Sequence, residues 1–297
     1  MADAADTPIP LLRPATSTMR LVWLRIRRNW LSTIALAIIA AMIVAALGAD
    51  WIAPYEPDAT DPEAALQSLS WHHWLGTDIY GRDLLSRIIH AARVDLTVAF
   101  GATAVALVIG SAIGAIAGHY RGLVDLVIMR CVDSVMAFPA FILAMAITAA
   151  LGNSVGNVLL AIAITQIPNY LRLIRGEIFR IREMEYADAA RVVGNPAWRI
   201  IFIHLLPNCL PPIIVQATLA MGYALLTMSA LSFIGLGIQP PQSEWGSMTA
   251  EGAQYIVTGE WWLFLFPGLA IVVMVLAFNL VGDGLRDFLD PRMRGVR

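Results

Sequence analysis

The sequence contains no lysine, only two cysteines and little charge of either sign. All 20 basic side chains are arginine, and charged residues make up 14% of the 297 residues. Because the G-x-x-x-x-G-K-[ST] phosphate-binding loop requires a lysine, this chain does not bind nucleotide through such a loop. Cys131 and Cys209 do not provide a disulfide framework. The net charge of -2 gives no information about nucleic-acid binding, and no nucleic-acid partner is expected.

Motifs for metal binding or catalysis are also missing from the sequence. A polytopic membrane enzyme, such as an intramembrane hydrolase, would need a nucleophile–base pair or an H-E-x-x-H pattern within its apolar segments, and none is present. His72 and His73 are adjacent, so their side chains point in different directions, and no third ligand stands at zinc spacing. We therefore expect neither a metal site nor a bound cofactor in this chain. All five histidines lie outside the apolar interiors: His72, His73, His90, His119 and His204.

Apolar residues, by contrast, are abundant: they make up 58% of the chain, and the mean hydropathy is +0.69. A helix that crosses a bilayer needs about 20 apolar residues. The uncharged runs predict six such helices, and hence an all-α polytopic membrane protein. A turn at 152–154 separates the third helix from the fourth. The predicted spans are Leu31–Ala49, Leu96–Gly118, a pair that begins near Leu126 and ends at Leu171, Asn208–Phe233 and Trp261–Gly282.

Arginine placement orients these spans. Four arginines closely precede the first span, so the positive-inside rule places the N-terminus in the cytoplasm. Six spans bring the C-terminus to the same side, together with the arginines of the loop 172–199. The loop between the fifth and sixth spans has only glutamates as charged residues, as expected outside. The loop Asp50–Asp95 contains both arginines and acids, and its length weakens the rule.

The chain divides into four parts along this pattern. Residues 1–18 contain three prolines and are expected to form a disordered cytoplasmic tail. Residues 19–95 begin with an amphipathic segment, Met19–Trp30, which is expected to lie along the inner leaflet before the first span and an outer loop. Residues 96–285 contain the other five spans, and residues 286–297 form a second cytoplasmic tail.

The segment Tyr186–Asn208, called the hairpin below, predicts two short helices joined at a sharp bend. Gly194 suits a left-handed residue just beyond a helix end. Asn195 can cap the next helix, with Pro196 at its first position, where no amide hydrogen is needed. Pro207 is expected to end that second helix. The spacing i, i+3, i+4, i+7 marks one face of each helix: Tyr186, Ala189, Ala190 and Val193, then Ala197, Ile200, Ile201 and His204.

The hairpin resembles the EAA loop of permease subunits in binding-protein-dependent ATP-binding-cassette importers. That pattern reads Glu-Ala-Ala, three residues, Gly, nine residues, Ile, one residue, Leu-Pro; here Asp188 replaces the glutamate and His204 replaces the isoleucine. In that family the loop docks into the ATPase subunit. For this segment alone, the alternative is an ordinary cytoplasmic hairpin between two spans. The resemblance implies a coupling role for Tyr186, Asp188, Ala189, Ala190, Gly194, Asn195, Pro196, His204, Leu206 and Pro207.

Three further segments resemble the C-type permease subunit of dipeptide, oligopeptide and nickel importers. Leu75–Arg87 contains the pattern LGTD-x-x-GRD-x-x-SR, Ser232–Met248 contains a double proline, and Ala277–Pro291 ends in Leu-Asp-Pro. With them, the resemblance extends from about Arg20 to the C-terminus. It implies the type I importer permease fold for residues 96–285, in the bacterial cytoplasmic membrane.

The resemblance also implies partners. The complex would contain a second, B-type permease subunit, two ATPase subunits that bind ATP and magnesium, and an extracytoplasmic binding protein that delivers the peptide. This chain would be a non-catalytic subunit in the lipid bilayer that moves dipeptides or oligopeptides into the cytoplasm. Importers of nickel or glutathione with the same architecture are the alternatives. A channel, from another class, would need no docking hairpin.

Polar side chains within the spans are candidates for the transport pathway, because they are costly in lipid and tend to face protein or water. Gln166 and Asn169 lie three residues apart on one helix face, beside Pro168. Together with Gln216 they are the predicted pathway residues, and interhelical hydrogen bonds are their alternative role. The full set of span amides considered is Asn157, Gln166, Asn169, Gln216 and Asn279.

A series of small residues marks the second span. Gly110, Gly114 and Gly118 recur every four residues, which lets a neighbouring helix approach closely. That neighbour is either another helix of this chain or a helix of the partner permease.

Overall fold

The computed structural model describes residues 30–289, and within this range the chain folds into helices without a β-strand. The all-α architecture is thus confirmed. The expected tail at 1–18 lies outside the described residues, as do nearly all of Met19–Trp30 and the end of the chain from 290. The helices are α1 (Trp30–Leu47), α2 (Ala49–Ile52), α3 (Leu84–Tyr120), α4 (Gly122–Met136), α5 (Ala140–Leu151), α6 (Val155–Ile181), α7 (Glu185–Val192), α8 (Ala197–Arg199), α9 (Leu210–Phe233), α10 (Trp245–Ala253) and α11 (Trp262–Leu289).

Five helical segments in the described range are long and apolar enough to cross a membrane: α1, α3, α6, α9 with the turns that precede it, and α11. They correspond to five of the six predicted spans. The third predicted span is divided, because α4 and α5 meet at an angle of 84°. Pro139 has no backbone N–H and disfavours the helical conformation at Phe138, which explains the break. Residues 30–289 therefore contain five continuous spans, or six if the bent pair forms one.

Helix α3 is longer than the predicted span Leu96–Gly118. It has 37 residues, so at 1.5 Å per residue it is about 55 Å long. The Asp83 side chain caps its N-terminus by accepting a hydrogen bond from the Ser86 N–H at 2.8 Å. Residues 84–95, predicted from the sequence to lie in the loop before the second span, thus belong to this helix. The expected boundary between residues 95 and 96 falls within α3, and that at 285/286 falls within α11.

The glycine series of α3 faces α6. A side-chain carbon at Gly110 would lie 2.7 Å from Cβ of Tyr170, and one at Gly114 would lie 2.5 Å from the backbone oxygen of Leu171. Gly118 is packed in the same way against the last turns of α6. These distances leave no room for a side chain, so the series serves packing within this chain.

Residues 48–83, called the cap, connect α1 to α3 and contain only α2 and one 3-10 turn as regular structure. The cap folds around the Asp78 carboxylate, which accepts from Arg82 Nε at 2.6 Å and from Arg87 Nη1. No more than 8% of any of these three side chains is exposed. Because these charges are paired and removed from solvent, the cap is fixed to the start of α3.

The described residues contain two larger hydrophobic cores and a small third cluster around Tyr170. The main core joins α1, α3, α5, α6, α9, α10 and α11, and its largest fully buried side chains include Trp245 and Phe278. The Trp245 indole N–H also donates to the Ile88 carbonyl at 3.0 Å, which ties α10 to α3. A second, smaller core lies at the opposite end of α3, beneath the hairpin.

Candidate coupling hairpin and polar cavity

The bend of the hairpin has the predicted left-handed backbone conformation at Gly194. Helix α7 ends at Val192, and Gly194 follows with a φ of +84°. The Gly194 N–H donates to the Arg191 carbonyl at 2.9 Å. No heavy atom of another part of the chain lies within 4 Å of the place where a Cβ would stand. Glycine is therefore favoured here by the backbone conformation and not by crowding.

Asn195 does not cap the next helix, contrary to the prediction. Its side-chain Nδ2 donates to the Ala190 carbonyl at 3.0 Å, so it closes the C-terminal end of α7 instead. Pro196 precedes α8 in an extended conformation and makes no side-chain cap. The Asn195 amide can bond to the preceding helix because the carbonyls in the last turn of a helix lack partners within that helix.

Pro207 does not end the second helix, which is another correction. After α8 the chain forms a π-helical turn, Ile200–Leu205, and then a 3-10 turn, Leu206–Cys209, that leads directly into α9. Pro207 lies in the first turn of that 3-10 segment, where its missing N–H removes no hydrogen bond. The hairpin therefore continues into a spanning helix through changes in hydrogen-bond pattern, without a break.

The hairpin has one buried and one exposed side. Its buried residues pack on α6 and on Ala115 of α3. The exposed side includes Val192 and Val193, which are 87% and 81% exposed, and Trp198. The predicted small-residue face of α7 is divided, because Ala190 is buried whereas the other three are exposed. The buried set in the hairpin is Ala187, Ala190, Ile200, Ile201 and Leu205.

The remaining coupling candidates lie on or near the exposed side. Asp188 is exposed and pairs with Arg191 one turn along α7, at 2.5 Å. His204 and Leu206 are half-buried, and Ala189 and Pro207 are exposed. The hairpin thus presents an apolar surface with few charges, supported from beneath by its own small core.

The three predicted pathway residues line one cavity of about 390 Å³. Gln166 and Asn169 reach it from α6, and Gln216 reaches it from α9. The Gln166 side chain is buried, and its Nε2 donates to the Ala220 carbonyl of α9 at 3.2 Å, so it also forms the interhelical bond considered as its alternative role. Asn169 is exposed. The full lining is Gln166, Asn169, Tyr170, Gln216, Leu219, Ala220, Gly222, Tyr223, Leu226, Val275 and Asn279.

The chemistry of this cavity is polar but uncharged. Four amides and two tyrosines line it, and no acid, arginine or histidine does. Tyr170 and Tyr223 were missed in the sequence because a tyrosine in a span is equally suited to packing. The fifth span amide, Asn157, lies elsewhere and donates to the Leu151 carbonyl at 2.7 Å, where it closes the turn between α5 and α6.

One histidine of the described residues, His73, lies beside an acid and a serine. His73 Nδ1 lies 3.0 Å from Asp83 Oδ1, but the Ser86 hydroxyl donates to Asp83 and not to the imidazole. This His-Asp-Ser set therefore contains no nucleophile–base pair. Among residues 30–289 no three His, Cys, Asp or Glu side chains are grouped so that they could hold a metal ion.

Comparison with known families decides the class. Residues 110–295 match the model of the family described as the binding-protein-dependent transport system inner membrane component. The chain belongs to this family. Residues 17–68 also match the N-terminal transmembrane domain of oligopeptide transport permease C. The resemblance to C-type permease subunits is thereby confirmed, and the chain is a multi-pass inner membrane protein of a transport system.

Curated relatives match over nearly the whole chain. A dipeptide transport system permease protein of Alkalihalophilus pseudofirmus is 45% identical, over 94% of this chain and 92% of the relative. A probable D,D-dipeptide transport system permease protein of Escherichia coli is 42% identical, over 93% and 92%. A glutathione transport system permease protein of Pectobacterium atrosepticum is 37% identical, over 99% and 97%.

Proposed function

We propose that this chain is one of two permease subunits of an ATP-driven importer and that it moves dipeptides or short oligopeptides into the cytoplasm. The observation that carries the proposal is the uncharged, amide-lined cavity of about 390 Å³, in a chain whose most similar relatives named above transport dipeptides. That volume lies within the range of about 300–1,000 Å³ typical of small-ligand sites. The chain itself performs no catalysis in this scheme.

The lining suits a peptide backbone of any sequence. Carboxamides both donate and accept hydrogen bonds, as a peptide unit does, and the tyrosine hydroxyls can do the same. Because no charged side chain lines the cavity, it cannot select substrates by the charge of their side chains. Discrimination among peptides then falls to the extracytoplasmic binding protein that delivers them.

The cargo proposal is tested by uptake in the assembled transporter. Asn169→Ala removes an exposed amide from the cavity, and we expect a lower transport rate with an unchanged order of competition among di-, tri- and longer peptides. Asn157→Ala is the matched control, because it removes an amide from the same helix outside the cavity. A variant that transports at the parent rate while its peptide preference changes would contradict the proposal.

Glutathione is the second candidate cargo, since a glutathione permease is 37% identical over nearly the whole chain. Glutathione is itself a peptide, so an amide-lined cavity accommodates it as well. Including glutathione among the competing substrates distinguishes a glutathione importer from an importer of other peptides. Nickel is disfavoured, because none of the cavity residues is a histidine, cysteine or carboxylate that could bind it.

The hairpin is the proposed docking site for an ATPase subunit, one of two that bind ATP and magnesium. Support comes from its exposed apolar side and from the uncrowded bend at Gly194. Gly194→Val forces a β-branched residue into a left-handed conformation, at a cost of about 1–2 kcal/mol or more, and should reduce recovery of the ATPase with the permease. Gly194→Asn, which tolerates this conformation, should retain it. Normal ATPase recovery with the valine variant would argue against docking here.

The orientation follows from the same assignment. With the hairpin in the cytoplasm, both termini are cytoplasmic and the cap is extracytoplasmic. Arginines are concentrated at the hairpin end, whereas the loop from α9 to α11 has only Glu244, Glu251 and Glu260 as charged residues, in agreement with the positive-inside rule. The second, B-type permease subunit would complete the pathway beside the cavity.

A further inference from the structure

Arg182, directly after α6, connects the last turn of α6 to the end of α3. Its Nη1 donates to the carbonyls of His119 and Gly118, the latter at 3.4 Å. These belong to the last four carbonyls of α3, which have no partner within their own helix and carry the negative end of its dipole. A guanidinium at this place forms charge-assisted hydrogen bonds, which are stronger than bonds between neutral groups.

The same side chain reaches the turn between α3 and α4. Arg182 Nε lies 3.2 Å from Glu183 Oε1, and Arg121 Nη2 lies 2.9 Å from the same oxygen. Arg121 has a φ of 56° and a ψ of -165°, close to a backbone region occupied almost entirely by glycine. Such a conformation persists only where its surroundings hold it. The ion pair with Glu183 joins the side chain of this residue to Arg182.

The hairpin joins this group through Arg191 of α7. Arg191 Nη2 donates to the Arg182 carbonyl at 2.8 Å, while its Nη1 pairs with Asp188. A continuous series of polar contacts thus runs from the exposed side of the hairpin to the end of α3 and the turn before α4. Helix α4 is in turn bonded to α6 by Arg172, which pairs with Asp133 at 2.6 Å.

We propose that Arg182 is a positioning residue that transmits movement of the hairpin to the ends of α3 and α4. This inference rests on the proposed docking of an ATPase on the hairpin. A displaced α7 moves the Arg182 backbone through Arg191, and the guanidinium carries the displacement to the α3 carbonyls and, through Glu183, to Arg121. Arginine suits this task because its planar fork bonds several acceptors at once, whereas lysine acts as a single point charge.

Docking and transmission are separable in this structure. The hairpin is held to α6 by the buried side chains of its small core, which include Ala187, Ile200 and Ile201, and Arg182 is not one of them. Loss of the Arg182 side chain should therefore leave the docking surface in place. What it should weaken is the link between ATP hydrolysis and the movement of α3 and α4, because only the apolar contact of the hairpin core with Ala115 of α3 then remains.

The test uses the complete transporter in vesicles, with peptide uptake and ATP hydrolysis measured in the same sample. Arg182→Gln should retain the ATPase subunits but lower the peptide imported per ATP hydrolysed by about fivefold or more, the lower end of usual coupling between distant sites. Arg182→Lys should lower this ratio less. Arg180→Gln is the matched control, and we expect it to keep the parent ratio of peptide to ATP. Arg180 forms its ion pair within α6, with Glu177 at 2.7 Å.

Several results would overturn the proposal: a parent ratio in Arg182→Gln, an equal loss in Arg180→Gln, or loss of the ATPase subunits from Arg182→Gln. If Arg182→Gln is not recovered in the membrane, Arg182→Lys is measured in its place. A parent ratio of peptide to ATP in Arg182→Lys would refute the role of the planar guanidinium. Gly194→Val is measured in parallel. Normal ATPase recovery with Gly194→Val would refute docking itself. Reduced ATPase recovery with Gly194→Val, together with a parent ratio of peptide to ATP in Arg182→Gln, would refute only the transmission.

Discussion

The two ends of α3 use the same kinds of residue in different ways. At the cap end, Asp78 pairs with Arg82 and Arg87, and each side chain is at most 8% exposed. At the hairpin end, Asp188 pairs with Arg191, and the two side chains are 62% and 34% exposed. A buried pair is strongly destabilising when one partner is removed, whereas an exposed pair contributes little.

Left-handed glycines show the same contrast. Gly81 of the cap has a φ of +74°, and a side-chain carbon there would lie 1.8 Å from the Asp61 carbonyl oxygen. Gly194 of the hairpin has a φ of +84° and open space around it. The cap end is thus packed against its own chain, while the hairpin end keeps an apolar surface free. The same local geometry thus anchors the chain where it is buried, and we propose that it serves docking where it is exposed.

The two ends of α3 are expected on opposite sides of the membrane. Val193 of the hairpin and Val257 of the loop before α11 are 81% and 96% exposed, so cysteines placed there are accessible. In a Cys131→Ser background, which removes the exposed native thiol, we expect Val193→Cys to react with an impermeant reagent only from the cytoplasm and Val257→Cys only from outside. Reaction of both from one side would refute the orientation.

The buried and exposed ion pairs should differ greatly in stability. Asp78→Ala leaves two buried guanidinium groups without their shared carboxylate, and we expect a loss of about 3–5 kcal/mol. Asp188→Ala, the matched change at the other end, should cost no more than about 1 kcal/mol. Thermal unfolding of the purified transporter and its level in the membrane measure both. Equal losses would mean that burial does not distinguish the two pairs.

The two left-handed glycines should differ in stability by a smaller amount than the two ion pairs. Gly194→Ala should cost about 1–2 kcal/mol, the price of a left-handed backbone for a residue with a Cβ. Gly81→Ala adds an overlap with the Asp61 backbone, typically a further 1–3 kcal/mol. The prediction is checked by the difference in unfolding midpoint between the two variants. A larger loss at Gly194 would show that the hairpin bend is packed more tightly than the structure indicates.

The smallest effect concerns pH at the cap end. Burial raises the pKa of Glu244 above its ordinary value of 4.5, although backbone N–H groups of Ser247 and Gly246 oppose the shift. As pH rises from 4.5 towards the higher folded-state pKa, the unfolded chain releases this proton first, so the free energy of unfolding falls. In thermal unfolding measured at a series of pH values, Glu244→Gln should show a smaller fall of the free energy of unfolding with pH. Glu185→Gln, which removes one exposed carboxyl of α7, is the control, and an equally steep decline in both variants would refute the assignment.

Sequence reasoning succeeded where a single local rule governs the outcome. Gly194 is left-handed because the chain must reverse just after a helix, and no distant contact competes. It failed at Asn195 and Pro207, where two local outcomes were possible. The Asn195 amide could cap either neighbouring helix, and Pro207 could end a helix or begin a turn. Pro139 carried the signal for the break between α4 and α5, but the length of the apolar run concealed it.

The sequence by itself determined the membrane class, five of the spans, the position of the bend at Gly194 and the resemblance to importer permeases, because periodicity, composition and special backbone conformations act over a few residues. Tertiary structure decided which residues meet. It brought Gln166, Asn169, Gln216 and Asn279 from three helices to one cavity, and turned the glycines of α3 towards α6. It also separated the buried charges of the cap from the exposed charges of the hairpin. Burial depends on the packing of distant segments, and no local pattern contains that information.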